Sequence, residues 1–376
     1  MNPYRAEVIG SLLRPQYLLE ARENYAAGDM PHARYKTIED RAVDECIAIQ
    51  QRAGVDIVTD GEVRRDVFAS QLAQSCDGFD RVQNNDVDWF NLDGRVERSP
   101  VTVGVVSKLR RKRHLSSEEF VYLRAKTNQP RKITLPSPTM YAYYWVPGVT
   151  NAAYPTTDAY MADIADILRD EVSELVRLGA EYVQIDAPEF GMLIDPHQQE
   201  WFARKGFRHE RMLHDGMAMI DAIVAAHPQV TFGLHICRGN DASRYMARGS
   251  YDSIAAVAFH TKAQRLLLEY DDERSGDFGA LRSVPDDKTV VLGLVTTKSP
   301  RRENPEELHS RILEASRYIP LERLALSPQC GFASVAKGNS IPPELQEWKL
   351  KLVADVAREV WPDDAPSVAS RTEISR

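Results

Sequence analysis

The stretch Gly233-Leu-His-Ile-Cys-Arg-Gly239 ends a short apolar run and places His235 and Cys237 two positions apart. On a strand such residues face the same side, so the pair can grip one ion together. The run that carries it, residues 231–236, is one of eight of its kind. The others are 5–11, 55–59, 133–137, 182–186, 265–269, 289–295 and 324–327. Each is short, rich in Val, Ile or Leu and followed by polar, Gly or Pro residues, as buried parallel strands are. Amphipathic stretches lie between them. Residues 37–53 put Ile38, Ala42, Cys46 and Ile49 near one face, and 157–178 carry Ile164, Ile167, Leu168, Val172 and Leu175 at helical spacing. Residues 208–226, 305–318 and 342–361 read the same way. This alternation predicts an α/β fold, a (β/α)8 TIM barrel. An open Rossmann-like sheet is the rival, but no Gly-x-Gly-x-x-Gly follows the first strand.

At 376 residues the chain has room for one large domain or two ordinary ones, and 43% apolar with 27% charged residues suits a soluble protein with a sizeable core. A net charge of −8 argues against non-specific binding to nucleic acid or anionic membrane. The N-terminus, Met1-Asn-Pro-Tyr-Arg-Ala-Glu7, has no signal pattern, and no apolar run is long enough to span a bilayer. Four cysteines, Cys46, Cys76, Cys237 and Cys330, lie too far apart for a disulfide framework. A reducing compartment, the cytoplasm, is the expectation.

Two stretches depart from the repeat. Residues 12–36 form a long connection after the first strand. Residues 66–132 form an insertion between strands two and three, with a hairpin expected around 101–107. The insertion holds the basic run Lys108-Leu-Arg-Arg-Lys-Arg-His114, which reads as a solvated face, or alternatively as a docking surface for an acidic partner. With no internal repeat or low-complexity linker, one elaborated barrel over residues 1–376 is the economical organisation.

Barrels of this kind carry their sites at the C-terminal ends of the strands. There His235 and Cys237 end the fifth strand, Glu269 the sixth and Cys330 the eighth. One imidazole, two thiolates and a carboxylate suit Zn²⁺. Ser11, Asp60, Glu62, Asp186, Glu189, Lys298 and Arg301 follow strand ends at the same rim. An acidic residue there is as often a helix N-cap as a functional group. Cys46 and Cys76 read as small buried hydrophobes, and His214 and His260 as structural or exposed.

The motifs Ile9-Gly-Ser-Leu-Leu-Arg-Pro15, Thr59-Asp-Gly-Glu-Val-Arg-Arg65, Val183-Gln-Ile-Asp-Ala-Pro188, Leu234-His-Ile-Cys237, Gly293-Leu-Val-Thr-Thr-Lys-Ser-Pro-Arg301 and Ser327-Pro-Gln-Cys-Gly331 occur in this order. Together they resemble the catalytic C-terminal barrel of cobalamin-independent methionine synthase and its short single-barrel relatives, over nearly the whole chain. The resemblance implies zinc held by His235, Cys237, Glu269 and Cys330. It implies homocysteine held by Ser11, Glu62 and Asp186, with backbone help near Ile9. The activity implied is methyl transfer from methyltetrahydrofolate, or a simpler donor, to the homocysteine thiol. On this reading Asp186→Asn weakens thiol binding and leaves the metal in place.

The departures bear on the donor. Lys298 stands where the family has a histidine that protonates the leaving folate, and lysine does this only with a lowered pKa. Ala187 replaces a family glutamate, with Glu189 two positions on, and Tyr143 takes the place of a tryptophan that stacks on the pterin. Two further readings stand beside the first. A zinc-dependent alkyltransferase would join coenzyme M to an epoxide, with Arg14, Arg64 or Arg301 pairing the sulfonate. A non-catalytic zinc-binding barrel would have its four positions filled as in a structural site.

Overall fold

The computed structural model describes residues 4–362. Ten strands occur in chain order: β1 (Cys76–Arg81), β2 (Val87–Phe90), β3 (Val96–Ser99), β4 (Val103–Arg111), β5 (Ile133–Pro136), β6 (Tyr182–Asp186), β7 (Thr231–Ile236), β8 (Arg265–Glu269), β9 (Thr289–Val295) and β10 (Leu324–Pro328). The last six form one parallel sheet in the order β10-β9-β8-β7-β6-β5. Strands β6 to β9 coincide with the four runs read from the sequence. Buried side chains on both faces make such strands continuous apolar segments, which is why they are legible.

The first two expected strands are not regular strands, and the sheet does not close as a continuous ladder. Ala6 bridges Leu326 of β10, and Val58 bridges Arg131 just before β5. Between the two segments Asp56 N–H donates to Ala6 O at 2.9 Å. Side chains take the remaining ladder positions. Asp56 Oδ2 accepts from the Arg5 and Ala6 amides at 2.7 and 2.9 Å. Gln50 pairs with the Thr59 amide and carbonyl, both at 2.8 Å. Backbone groups satisfied by side chains need no strand partner. Ile9, Leu267, Val291 and Ala325 pack as one small buried layer, which places the 5–11 segment against the sheet interior.

The expected helices appear as His32–Ala53, Thr157–Arg177, His209–Ala225, Pro305–Ala315 and Pro343–Val360. The 12–36 connection contains a further helix, Gln16–Ala26, begun after Pro15 and burying only Leu18 and Ala21. So narrow an apolar stripe leaves little periodic signal. Within the insertion β4 pairs with the distant β1, not across a local turn, so the expected hairpin at 101–107 is corrected. The local hairpin is β2–β3, turned by Asp93-Gly94 with Gly94 at φ 84. Four cations of the basic run are held at the surface: Lys108 by Asp163, Arg110 and Lys112 by Asp77, and Arg111 by Asp170. Ion pairs of that kind mark a solvated face.

Among the described residues no helix is long and apolar enough to cross a membrane. Cys46 and Cys76 are buried, and burial pushes their thiols up to about 12 and about 11.

Candidate active site

The C-terminal ends of β6, β7 and β10 assemble the site. Asp186 and His235 are ladder partners on β6 and β7, so the parallel register sets Asp186 Oδ1 2.7 Å from His235 Nδ1. Cys237 follows two positions after His235, and Cys330 follows β10. One ring nitrogen and the two sulfurs of this trio lie within 4.8 Å of one another, all buried. A close approach helps to position it. A Cβ at Gly191 would stand 1.8 Å from the Cys237 carbonyl oxygen, so the short helix Pro188–Met192 lies across the end of β7 only with glycine there.

The trio fits a borderline-soft cation by its donor chemistry and by one orphaned atom. With Nδ1 engaged by Asp186, His235 Nε2 is buried without a hydrogen-bond partner. An imidazole oriented by a carboxylate through one nitrogen and open at the other is the usual metal-ligand arrangement. A hydrogen bond from Cys237 to Cys330 drives the Cys237 pKa well above the ordinary thiol value and that of Cys330 well below it. Burial opposes a charged His235, but Asp186 and Cys330 prevail and hold its pKa up at about 10.

Glu269 stands outside the trio. Its Oε1 lies 2.6 Å from Arg274 Nη1, and its Oε2 accepts from the Arg238 amide at 2.7 Å. Burial raises its pKa, but Lys298, Arg274 and Arg238 outweigh burial and bring it down to about 2. Its place at the end of β8 was legible. The two arginines that engage it, from loops after β7 and β8, were not. Lys298 Nζ lies 3.8 Å from Glu269 Oε1 and is otherwise unpartnered; Lys298 is absent from the cavity wall.

That cavity, about 210 Å³, is lined at its polar part by Ser11, Glu62, Asp186, His235, Cys237 and Cys330. The insertion contributes Val67, Phe68, Val87, Trp89 and Val101 to its wall. Glu62 sits in a turn with φ 53, after Gly61 at φ 72. A non-glycine residue held in that region carries strain of the kind concentrated at functional sites. Hydroxyls of Ser11 and Thr134 donate to the Glu62 carboxylate, and Arg65 Nη1 lies 3.3 Å away. Burial raises its pKa, Arg65 pulls it down and Asp186 raises it further.

Of three other expected residues, two do not reach the cavity. Arg14 is spent on carbonyls, donating to Glu62 O, Arg65 O and Ala333 O, and it buttresses the Glu62 turn without lining the cavity. Ile9 packs inward, and its carbonyl accepts from Gln184 Nε2 at 2.9 Å, while its neighbours Gly10 and Ser11 line the cavity. Tyr143 does line it, its hydroxyl donating to Met192 Sδ at 2.6 Å. Trp89 and Asn240 were missed. Asp93-Gly94 was the available signal for the hairpin that carries Trp89, but nothing local shows that this hairpin docks on the loop after β7, where Phe90 bridges Tyr245.

Asp186 also orients His235, a contact that the sequence reading did not assign. Because it orients His235, Asp186→Asn is expected to weaken metal affinity about 10- to 100-fold as well as substrate binding. Competition against a chelator checks this; unchanged metal affinity would confine Asp186 to the substrate.

A buried His/Cys group that could hold a cation and two carboxylates, gathered at the C-terminal edge of a parallel α/β sheet, lie where barrel-type proteins carry their sites. The chain belongs to the cobalamin-independent synthase family, whose catalytic-domain pattern matches residues 5–357. It is 33% identical over 364 residues to the uncharacterized Bacillus subtilis protein YxjH, covering 96% of this chain and 95% of that one. It is 27% identical over 332 residues to the methionine synthase of Pyrococcus abyssi, covering 86% and 85%. A solved structure, the B12-independent methionine synthase of Shewanella sp. W3-18-1 in complex with selenomethionine, is 19% identical with a TM-score of 0.74, covering 96% of this chain and 98% of that one. That likeness supports the TIM-barrel architecture.

Proposed function

We propose that this protein is a zinc-dependent S-methyltransferase that carries a methyl group to the thiol of homocysteine, forming methionine. One observation carries the reading: the His235, Cys237 and Cys330 trio shares a single cavity with two carboxylates, Glu62 and Asp186. Kinship with proteins named methionine synthase supports it.

His235, Cys237 and Cys330 would hold the zinc, with Glu269 proposed as fourth ligand if it leaves Arg274. Bound zinc supplies the charge that keeps an incoming thiol deprotonated near neutral pH. The chain's own residues do the rest. Two carboxylates in one buried space repel each other, and the Glu62 pKa is raised in part by Asp186. An ammonium group placed between them relieves that repulsion, so the pair selects an amino-acid thiol. Ser11 fixes the Glu62 carboxylate, and the insertion walls shield the sulfur from water. A reducing compartment keeps the cysteines available, and the cytoplasm remains the proposed location.

The alternatives fit less well. Among the described residues no Lys or Arg lines the cavity, so a sulfonate thiol would find no cation. Arg64 is taken by Glu39 and Asp40, and Arg301 by Glu307. A structural zinc site is normally closed, whereas this trio opens on a cavity.

Calorimetric titration of the zinc-loaded protein with homocysteine, and separately with 2-mercaptoethanesulfonate, tests the reading. Selective homocysteine binding with proton release is the expected result. Preference for the sulfonate would move the assignment to alkyl transfer, and binding of neither thiol would overturn the proposal.

A further inference from the structure

The part of the cavity beyond the carboxylates bears on the methyl donor. Its volume of about 210 Å³ falls below the roughly 300–1,000 Å³ of pockets that enclose drug-sized ligands. Much of that room goes to the amino-acid thiol. The remaining wall is largely apolar and aromatic, with Phe68, Val87 and Trp89 from the insertion and Tyr143, Met192 and Met246 from the barrel loops, and it also carries Asp241, which is paired with Arg244. Asn240, 7% exposed, also lines it, and its Oδ1 has no hydrogen-bond partner. Among the described lining residues there is no Lys or Arg to pair with an anionic tail. Nor does the wall itself hold an uncommitted cationic acid. Lys298 lies against Glu269 outside the wall, and His235 is committed to Asp186 and the metal set.

A leaving group that departs as an amine anion equivalent needs a proton at that moment, whereas one that departs neutral does not. Aromatic faces and a bare amide oxygen in a wall without Lys or Arg attract a compact positive charge, and the Arg244 guanidinium 5.8 Å from the Trp89 ring centroid is an instance of that attraction. Resting on the homocysteine reading above, we propose that the donor is a small onium compound, a methyl sulfonium or quaternary ammonium, seated against Trp89. The homocysteine sulfur uses its own electron pair to form the new S–C bond. The donor's C–S⁺ or C–N⁺ bond breaks, and its pair stays on a neutral sulfide or tertiary amine. The thiol proton passes to solvent, so one proton is released for each methionine formed.

The test is methionine formation by the zinc-loaded protein from homocysteine with trimethylsulfonium, dimethylsulfoniopropionate, glycine betaine or methyltetrahydrofolate as sole donor. Proton release is followed in weakly buffered solution. Turnover is expected with at least one onium donor, with one proton released per methionine. Trp89→Ala should lower kcat/KM for that donor about tenfold or more, the size of a desolvated cation–π contact, and Trp89→Phe should restore part of it. Homocysteine affinity measured by calorimetry should change less than twofold in both variants. Turnover from methyltetrahydrofolate alone, or from no onium compound, overturns the onium donor. Loss of calorimetric homocysteine binding in the unaltered protein would instead overturn the acceptor on which the proposal rests.

Discussion

Cys330→Ser is expected to leave a folded protein that loses its zinc on dialysis against a chelator and forms no detectable methionine. Of the two sulfurs in the trio, Cys330 is the one that gives up its proton more readily. The hydrogen bond from Cys237 and the neighbouring His235 hold its pKa well below the ordinary thiol value, against the effect of burial. A serine hydroxyl stays protonated near neutral pH and is a poor ligand for a borderline-soft cation. The substitution shortens the side chain only slightly beside Ser334, whose Oγ lies 4.0 Å from the sulfur, so packing should survive. Zinc content per chain by atomic emission, with circular dichroism as the folding control, decides the matter. Cys76→Ala, in β1 and away from the trio, should keep its full zinc. Unchanged zinc in Cys330→Ser would remove this residue from the ligand set.

The second large effect falls at the opposite end of the sheet and concerns stability. Glu7 is 0% exposed and joins Lys132 at 2.9 Å, Arg265 at 2.7 Å and the Tyr182 hydroxyl at 3.0 Å. Tyr182 and Arg265 are the first residues of β6 and β8, and Lys132 immediately precedes β5. One carboxylate therefore pairs with two buried cations where the irregular 5–11 segment meets three strands. Glu7→Gln removes that charge and leaves both cations uncompensated, and breaking buried pairs in this way costs about 3–5 kcal/mol. Urea unfolding should show a loss of that order, while zinc content in the folded protein stays unchanged. A loss below about 1 kcal/mol would mean that the cluster is relieved by water or by rearrangement.

The pH dependence follows from the same group. Burial raises the Glu7 pKa, but Lys132 and Arg265 outweigh burial and leave it below the ordinary carboxylate value. The unfolded chain thus takes up this proton at higher pH than the folded one. The contribution of Glu7 is complete above the unfolded carboxylate value and is lost as pH falls through the lower folded one. Glu7→Gln should flatten that acid limb of the stability profile.

Strands β6 to β9 and the flanking helices were legible because burial on two faces, or on one helical stripe, writes itself as local periodicity. The segments 5–11 and 55–59 look equally strand-like. Their pairing groups are met by Asp56 and Gln50, and nothing in their own residues foretells that. The grouping of His235, Cys237 and Cys330 was readable from residue type at strand ends. Its separation from Glu269 was not, because Arg238 and Arg274 reach that carboxylate from loops after two different strands.

By itself, then, the sequence determined the alternating α/β architecture, the rim at which the candidate site lies and the three residues that could share a cation. Each depends on local hydrophobic pattern and on the intrinsic chemistry of a side chain. Only the tertiary structure decided which carboxylates face the cavity, that Arg14 serves backbone carbonyls, that Asp186 steers His235, and that Trp89 on the insertion walls the site. Those outcomes turn on register and on contacts between residues far apart in the chain. A buried charge takes whichever partner the fold brings within about 3 Å.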